Sequence, residues 1–234
     1  MCSLCALSYI RSIMAKLYLV RHAQASFGKE DYDNLSDLGI EQSTHIPKHF
    51  DIASDKVYAL YRGDMKRHLQ TVANSFGDMA HTVDAGLNEF DHENVLRVHR
   101  PEIADKEKAA MLVMSQPNPK RFLEGEFDIA MSKWMNEEGT NSYNEPFKIF
   151  TERTLESLNA IIAKARAEKQ KEVVAITSGG VIAFLAAHVL GAPLSKIPSL
   201  NLSVVNTSVT SFVFDDKRLS LGYFNNYSHL PKDM

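Results

Sequence analysis

Short, dense apolar runs alternate with longer amphipathic stretches through most of the chain. Residues 16–20 (KLYLV) read as a strand buried on both faces, followed by a polar loop over 24–34. Ser36 is placed to cap a helix of about three turns with Ile40 and Ile46 on its inner side. Residues 56–60 (KVYAL) predict a second strand, and 64–76 a helix opened by Asp64, which suits the positive end of a helix dipole. Residues 82–84 form a short third strand. Over 146–168 one stripe holds Phe150, Thr154, Leu155, Leu158, Ile161, Ile162 and Ala165, the mark of a long amphipathic helix. Residues 172–177 (EVVAIT) are another buried strand. They run straight into Ser178-Gly179-Gly180 and a helix apolar on every side, ended by Gly191. Segments 202–213 and 218–223 predict the last two strands.

Between residue 90 and about 145 the alternation stops. Charged residues, prolines and scattered aromatics (Phe122, Phe127, Trp134) take its place, which predicts an insertion of helices and loops. Strands alternating with helices elsewhere imply a three-layer α/β/α sandwich around a mostly parallel sheet, with the insertion over the site. We read residues 14–234 as one domain and 1–13 as an extension outside the fold.

Composition narrows the function. With 234 residues, 44% hydrophobic and 24% charged, the chain can bury a full core. A net charge of −3 argues against nucleic acid and anionic membrane as partners, since both need a basic field. No apolar run approaches the roughly 18 residues of a membrane span; the longest, 181–190, contains His188. Both cysteines, Cys2 and Cys5, lie in the first five residues, so neither a disulfide framework nor a cysteine zinc site is expected. A cytoplasmic setting follows.

In sheets of this kind ligands sit beyond the carboxyl ends of the strands. Four segments fall there: Arg21-His22, the stretch around Arg67, the stretch around Glu89, and Thr177 to Gly180. Each alone is explained as a solvated side chain or a tight turn. Together they are a coherent kit for phosphoryl transfer. Guanidinium groups grip phosphate oxygens bidentately. A neutral imidazole is a nucleophile when its other nitrogen is held. A carboxyl passes a proton to the leaving oxygen, and a Gly-rich turn at a helix N-terminus presents backbone N–H groups to an anion.

The same residues resemble a known family. Leu17-Tyr18-Leu19-Val20-Arg21-His22-Ala23-Gln24 is similar to the L-x-L-V-R-H-(G/A)-(E/Q) signature of the histidine phosphatase superfamily, in its phosphoglycerate-mutase-like branch. The N-L-S-x-x-G-x-x-Q stretch from Asn34 to Gln42, the Met65 to Thr71 run that is similar to the family's L-x-R-A-x-Q-T, the L-x-E of Leu87 to Glu89 and the strand–turn–helix around 173–182 follow in order. The resemblance implies a metal-free and cofactor-free phosphohistidine mechanism. Arg21 and Arg67 would clamp the phosphate with Ser178 and Gly179, His22 would attack, and Glu89 would protonate the leaving group. It implies a small phosphorylated substrate or a phosphoprotein. Three functions stay open: a phosphomonoesterase, a phosphoglycerate mutase, and a weak phosphate-binding module.

One departure keeps the last of these open. The family carries a second histidine where this chain has Ser178, which donates a hydrogen bond but no charge. One lost donor of this kind costs about 10²–10³ in rate, so Ser178→His is expected to raise turnover if the remaining parts are intact, and to lower it if the larger ring clashes with the surrounding loops. His92, His99 and His188 are the candidates to replace that donor. His188 falls near a helix C-terminus and reads as structural. In the insertion, His92 and Arg97 are candidate substrate contacts, and His99, Arg100, Lys120 and Arg121 are charges of undecided role.

Overall fold

The computed structural model describes residues 14–26, 33–50, 59–136, 140–232 and 234, with the backbone alone at 103, 104, 106 and 140. The expected N-terminal extension, most of the 24–34 loop and the start of the predicted second strand (56–58) lie outside the described residues.

Six strands form one sheet: β1 (Ala15–Arg21), β2 (Ala59–Arg62), β3 (His81–Val83), β4 (Glu172–Thr177), β5 (Val209–Phe214) and β6 (Leu219–Asn226), in the order β3-β2-β4-β1-β5-β6. The β3–β2, β2–β4 and β4–β1 pairs are parallel, whereas β5 and β6 join antiparallel. The sheet is therefore mixed, parallel where strand–helix units repeat and antiparallel where a short connection turns β5 into β6.

Alternate residues of β1 serve two cores. Leu17 and Leu19 pack with Ala175, Leu158, Ile161 and Ile182 on one face. Tyr18 and Val20 pack with Ile46, Phe50 and Val72 on the other. The first face belongs to α6 (Phe147–Ala167) and α7 (Gly179–Leu190), the second to α1 (Asp37–Phe50) and α2 (Lys66–Phe76). The predicted insertion is helical, with α3 (His92–His99), α4 (Lys106–Met114) and α5 (Pro119–Met135). Among the described residues, no helix is long and apolar enough to cross a membrane.

Four local expectations change. Ile40 is 44% exposed, because the buried face of α1 runs through Gly39, Gln42, Ser43, Ile46 and Phe50, and one step from Gly39 turns a side chain about 100° away. Asp64 precedes α2 instead of opening it; the carboxylate at that N-terminus is Asp33, which accepts the Lys66 N–H at 2.8 Å. The segment predicted as a strand from 202 starts inside α8 (Ile197–Ser203), whose Pro198 pre-sets a first helical turn, and β5 begins only at Val209. His188 is exposed, since burial of α7 stops at Ala187.

Candidate active site

The register pairs Arg21 with Thr177, so the turn after β1 lies beside the turn after β4. The His22 N–H donates to Thr177 O at 2.8 Å, and Asn206 Nδ2 donates to His22 O at 3.0 Å, pinning the backbone from both sides. The imidazole is oriented as firmly. Nδ1 lies 2.7 Å from Ala23 O, which requires the proton on Nδ1. Nε2 is then the bare nitrogen, and it accepts from Arg67 Nε at 3.2 Å. Burial, and then the charge of Arg67, hold the His22 pKa well below 6.5, with His68 and Arg21 adding to the effect. The result is a neutral imidazole with its unprotonated Nε2 held in a fixed orientation.

Helix α2 carries Arg67, whose Nη1 pairs with Asp33 Oδ1 at 2.6 Å; the same carboxylate caps the helix. Arg21 turns its guanidinium toward Val204 O. Glu89 follows a tight 3-10 turn at Ala85–Leu87 that is tied down twice: Thr177 Oγ1 donates to Leu87 O at 2.6 Å, and Arg153 of α6 donates to Gly86 O and Asn88 O. The carboxylate of Glu89 accepts the Gly180 N–H at 3.1 Å. One N–H of the Gly-Gly turn, that of Gly180, is thus already taken by a carboxylate. Gly180 is required by this approach: a Cβ there would come within 2.6 Å of Phe90 Cε1 and closer still to Glu89.

A cleft of about 160 Å³ opens above these groups. Of the residues predicted from sequence, Arg21, His22, Arg67, Glu89 and His92 line it, with Phe90, Phe127 and Asn201 completing its walls. Arg97 does not. Five positions along α3 from His92 it is rotated by about 140°, and it is exposed. His99 points away as well, with Nε2 at 2.9 Å from the buried Glu126, which Arg100 also grips through two nitrogens. Lys120 and Arg121 are exposed on α5. Gly179 sits behind the Arg21 guanidinium, and Ser178 is fully buried beneath the cleft. Among the described residues, no group of three or more His, Cys, Asp and Glu side chains is arranged to hold a metal ion.

Four residues of the site do not follow from the sequence pattern. Phe90, Phe127 and Asn201 depend on chain paths, the 3-10 turn, α5 and α8, that periodicity does not reveal. The fourth, His68, left a signal. The family pattern places alanine after the arginine of α2, and here a histidine stands there in the same chain that lacks one at 178. Its ring is fully buried, 5.6 Å from the His22 ring centroid, with Nε2 at 2.8 Å from Ser178 Oγ.

A profile of the histidine phosphatase superfamily, branch 1, matches residues 17–227. No curated protein sequence matches the chain. Among solved structures, a phosphoserine phosphatase variant from Entamoeba histolytica in complex with phosphoserine shares 18% identity at a TM-score of 0.64, over 93% of this chain and 100% of that one. A phosphoglycerate mutase from Bacillus anthracis str. Sterne shares 16% at 0.65, over 93% and 96%. A mycobacterial glucosyl-3-phosphoglycerate phosphatase shares 18% at 0.60, over 92% and 100%. At these identities the structural likeness is one of fold, but the profile spans nearly the whole described chain. The chain belongs to the histidine phosphatase superfamily, branch 1.

Proposed function

We propose that this chain hydrolyses a small phosphomonoester through a phosphohistidine at His22. The observation that carries the proposal is the bare Nε2 of His22, set between Arg67 and Arg21 by the bond from Nδ1 to Ala23 O. The entering phosphate displaces Asp33 and His22 as partners of Arg67 and is clamped by the two guanidinium groups. The Nε2 lone pair forms the P–N bond while the P–O bond to the leaving group breaks, and Glu89 gives its proton to the departing oxygen. Water then attacks phosphorus, returns a proton to Glu89 and releases inorganic phosphate as the P–N bond breaks. Positioning and charge stabilisation supply most of the acceleration in such transfers.

Hydrolysis is favoured over mutase chemistry by the walls of the cleft. Among the described residues its charged groups are Arg21, Arg67 and Glu89, enough for one phosphate. Its small volume and the aromatic walls Phe90 and Phe127 suit a compact leaving group. The complex of the Entamoeba relative with phosphoserine supports the same class. A cytoplasmic setting agrees with two cysteines confined to positions 2 and 5.

The test is a brief incubation with a radiolabelled aryl phosphate followed by alkaline quench. Acid-labile label appears on the wild type and is absent from His22→Ala. Label retained by the variant removes His22 from the mechanism. A wild type that binds vanadate but neither labels nor turns over substrate is a phosphate-binding module instead.

A further inference from the structure

We infer that His68 and Ser178 work as one unit, the Ser178 hydroxyl donating to the transferring phosphoryl group and His68 positioning that hydroxyl from α2. The inference rests on the phosphohistidine reading above. Ser178 occupies the N-cap of α7, where a serine hydroxyl ordinarily accepts a helix N–H, yet it makes no capping bond. Glu89 has taken the Gly180 N–H, and the hydroxyl is turned to His68 Nε2 at 2.8 Å. The Nδ1 of His68 is buried without a hydrogen-bond partner. A bare lone pair is tolerated there better than an N–H, so the proton belongs on Nε2, which donates to Ser178 Oγ. The serine proton is then free to point elsewhere.

The arrangement costs stability, which argues for a chemical role. A fully buried imidazole with an unmatched nitrogen, beside the charges of two arginines, is a poor space-filler compared with a leucine. Burial, and then Arg67 and Arg62, hold its pKa well below 6.5. The surroundings are also cut to receive it. Gly63, after β2, leaves the space: a Cβ there would come within 2.8 Å of His68 Cε1 and closer still to Nδ1. Because His68 follows Arg67 in the first turn of α2, the element that places the clamp also places the imidazole. The histidine missing from the β4–α7 turn has its counterpart one helix away. On this inference Ser178→His lowers turnover, since a second ring at 178 meets the first.

The test is an exchange of the two residues. His68→Ala, Ser178→His and the double variant are compared with wild type on an aryl phosphate, with kcat and KM separated. His68→Ala is expected to lower kcat about 100-fold with KM little changed, and Ser178→His to lower it about tenfold. The double variant is expected to recover about tenfold over His68→Ala, a rescue that a space-filling role does not produce. A His68→Ala enzyme with wild-type kcat, or a double variant no faster than His68→Ala, overturns the inference. If His68→Ala does not fold, His68→Gln is read in its place, with partial activity expected and full activity overturning the idea. A wild type that fails to label at His22 defeats the phosphatase reading separately. Vanadate then becomes the probe: about tenfold weaker binding by His68→Ala supports the unit, and unchanged binding overturns it.

Discussion

The strand-end site and the helical insertion above it are held together by different means. Around His22 the chain is fixed by backbone bonds: His22 N to Thr177 O, Arg21 N to Ser208 O, and Thr207 N to Arg21 O. Such bonds are indifferent to side-chain identity, so the backbone around His22 keeps its place when side chains change. The insertion depends on side chains. Trp134 stacks on Phe90 with ring centroids 4.7 Å apart and donates to Glu145 O at 2.8 Å, while His99 and Arg100 converge on Glu126. Lost identity there is lost structure. The cleft has one wall of each kind: His22 and Arg21 stand on the ladder, and Phe90 leans on the insertion.

The largest expected effect breaks the insertion alone. Trp134→Ala removes a 1% exposed indole from behind Phe90 and should cost about 3–5 kcal/mol of stability. In the folded fraction it should raise KM more than it lowers kcat, measured by denaturant titration alongside steady-state kinetics. Equal losses in kcat and kcat/KM would show that the insertion reaches into the chemistry. Next comes the ladder side. Arg67→Ala should weaken phosphate inhibition by about 1.5–3 kcal/mol, the worth of a charge-assisted contact, and Arg21→Ala should do the same. Unchanged inhibition removes that arginine from the clamp. Glu126→Gln should destabilise by roughly 1 kcal/mol, because Arg100 keeps 34% of its side chain in water.

Two pH effects sharpen the contrast further. The His22 pKa is depressed, so its nucleophilic form persists below 6.5 and kcat/KM should not fall as pH drops through that value. Arg67→Ala removes a positive neighbour and should move the acidic limb up toward 6.5; an unmoved limb would assign it to another group. Stability follows the same sign. His22, His68 and His229 have folded pKa values below their unfolded ones, with His229 held at about 4 chiefly by burial and then by His49. Their contribution is complete above pH 6.5 and is lost as pH falls toward 4. The urea midpoint should therefore drop between pH 7 and 5, and a flat midpoint would contradict these shifts.

The residue pattern alone determined the ladder side of the molecule. Each of 16–20 and 172–177 is apolar on both faces, which only a central strand satisfies, and the polar residues that follow them must emerge at the sheet's ligand-binding edge. The motif order around Arg21, His22, Arg67 and Glu89 added the family. What only the tertiary structure decided is which side chains meet across elements distant in sequence. Asp33 rather than Asp64 caps α2, Glu89 takes the Gly180 N–H of the Gly-Gly turn, and His99 serves Glu126 rather than the cleft. His68 finds Ser178 across 110 positions for the same reason. Periodicity is a local property that reports which face of an element is buried, whereas a buried polar group takes its partner from whichever segment the packed fold brings within hydrogen-bond reach.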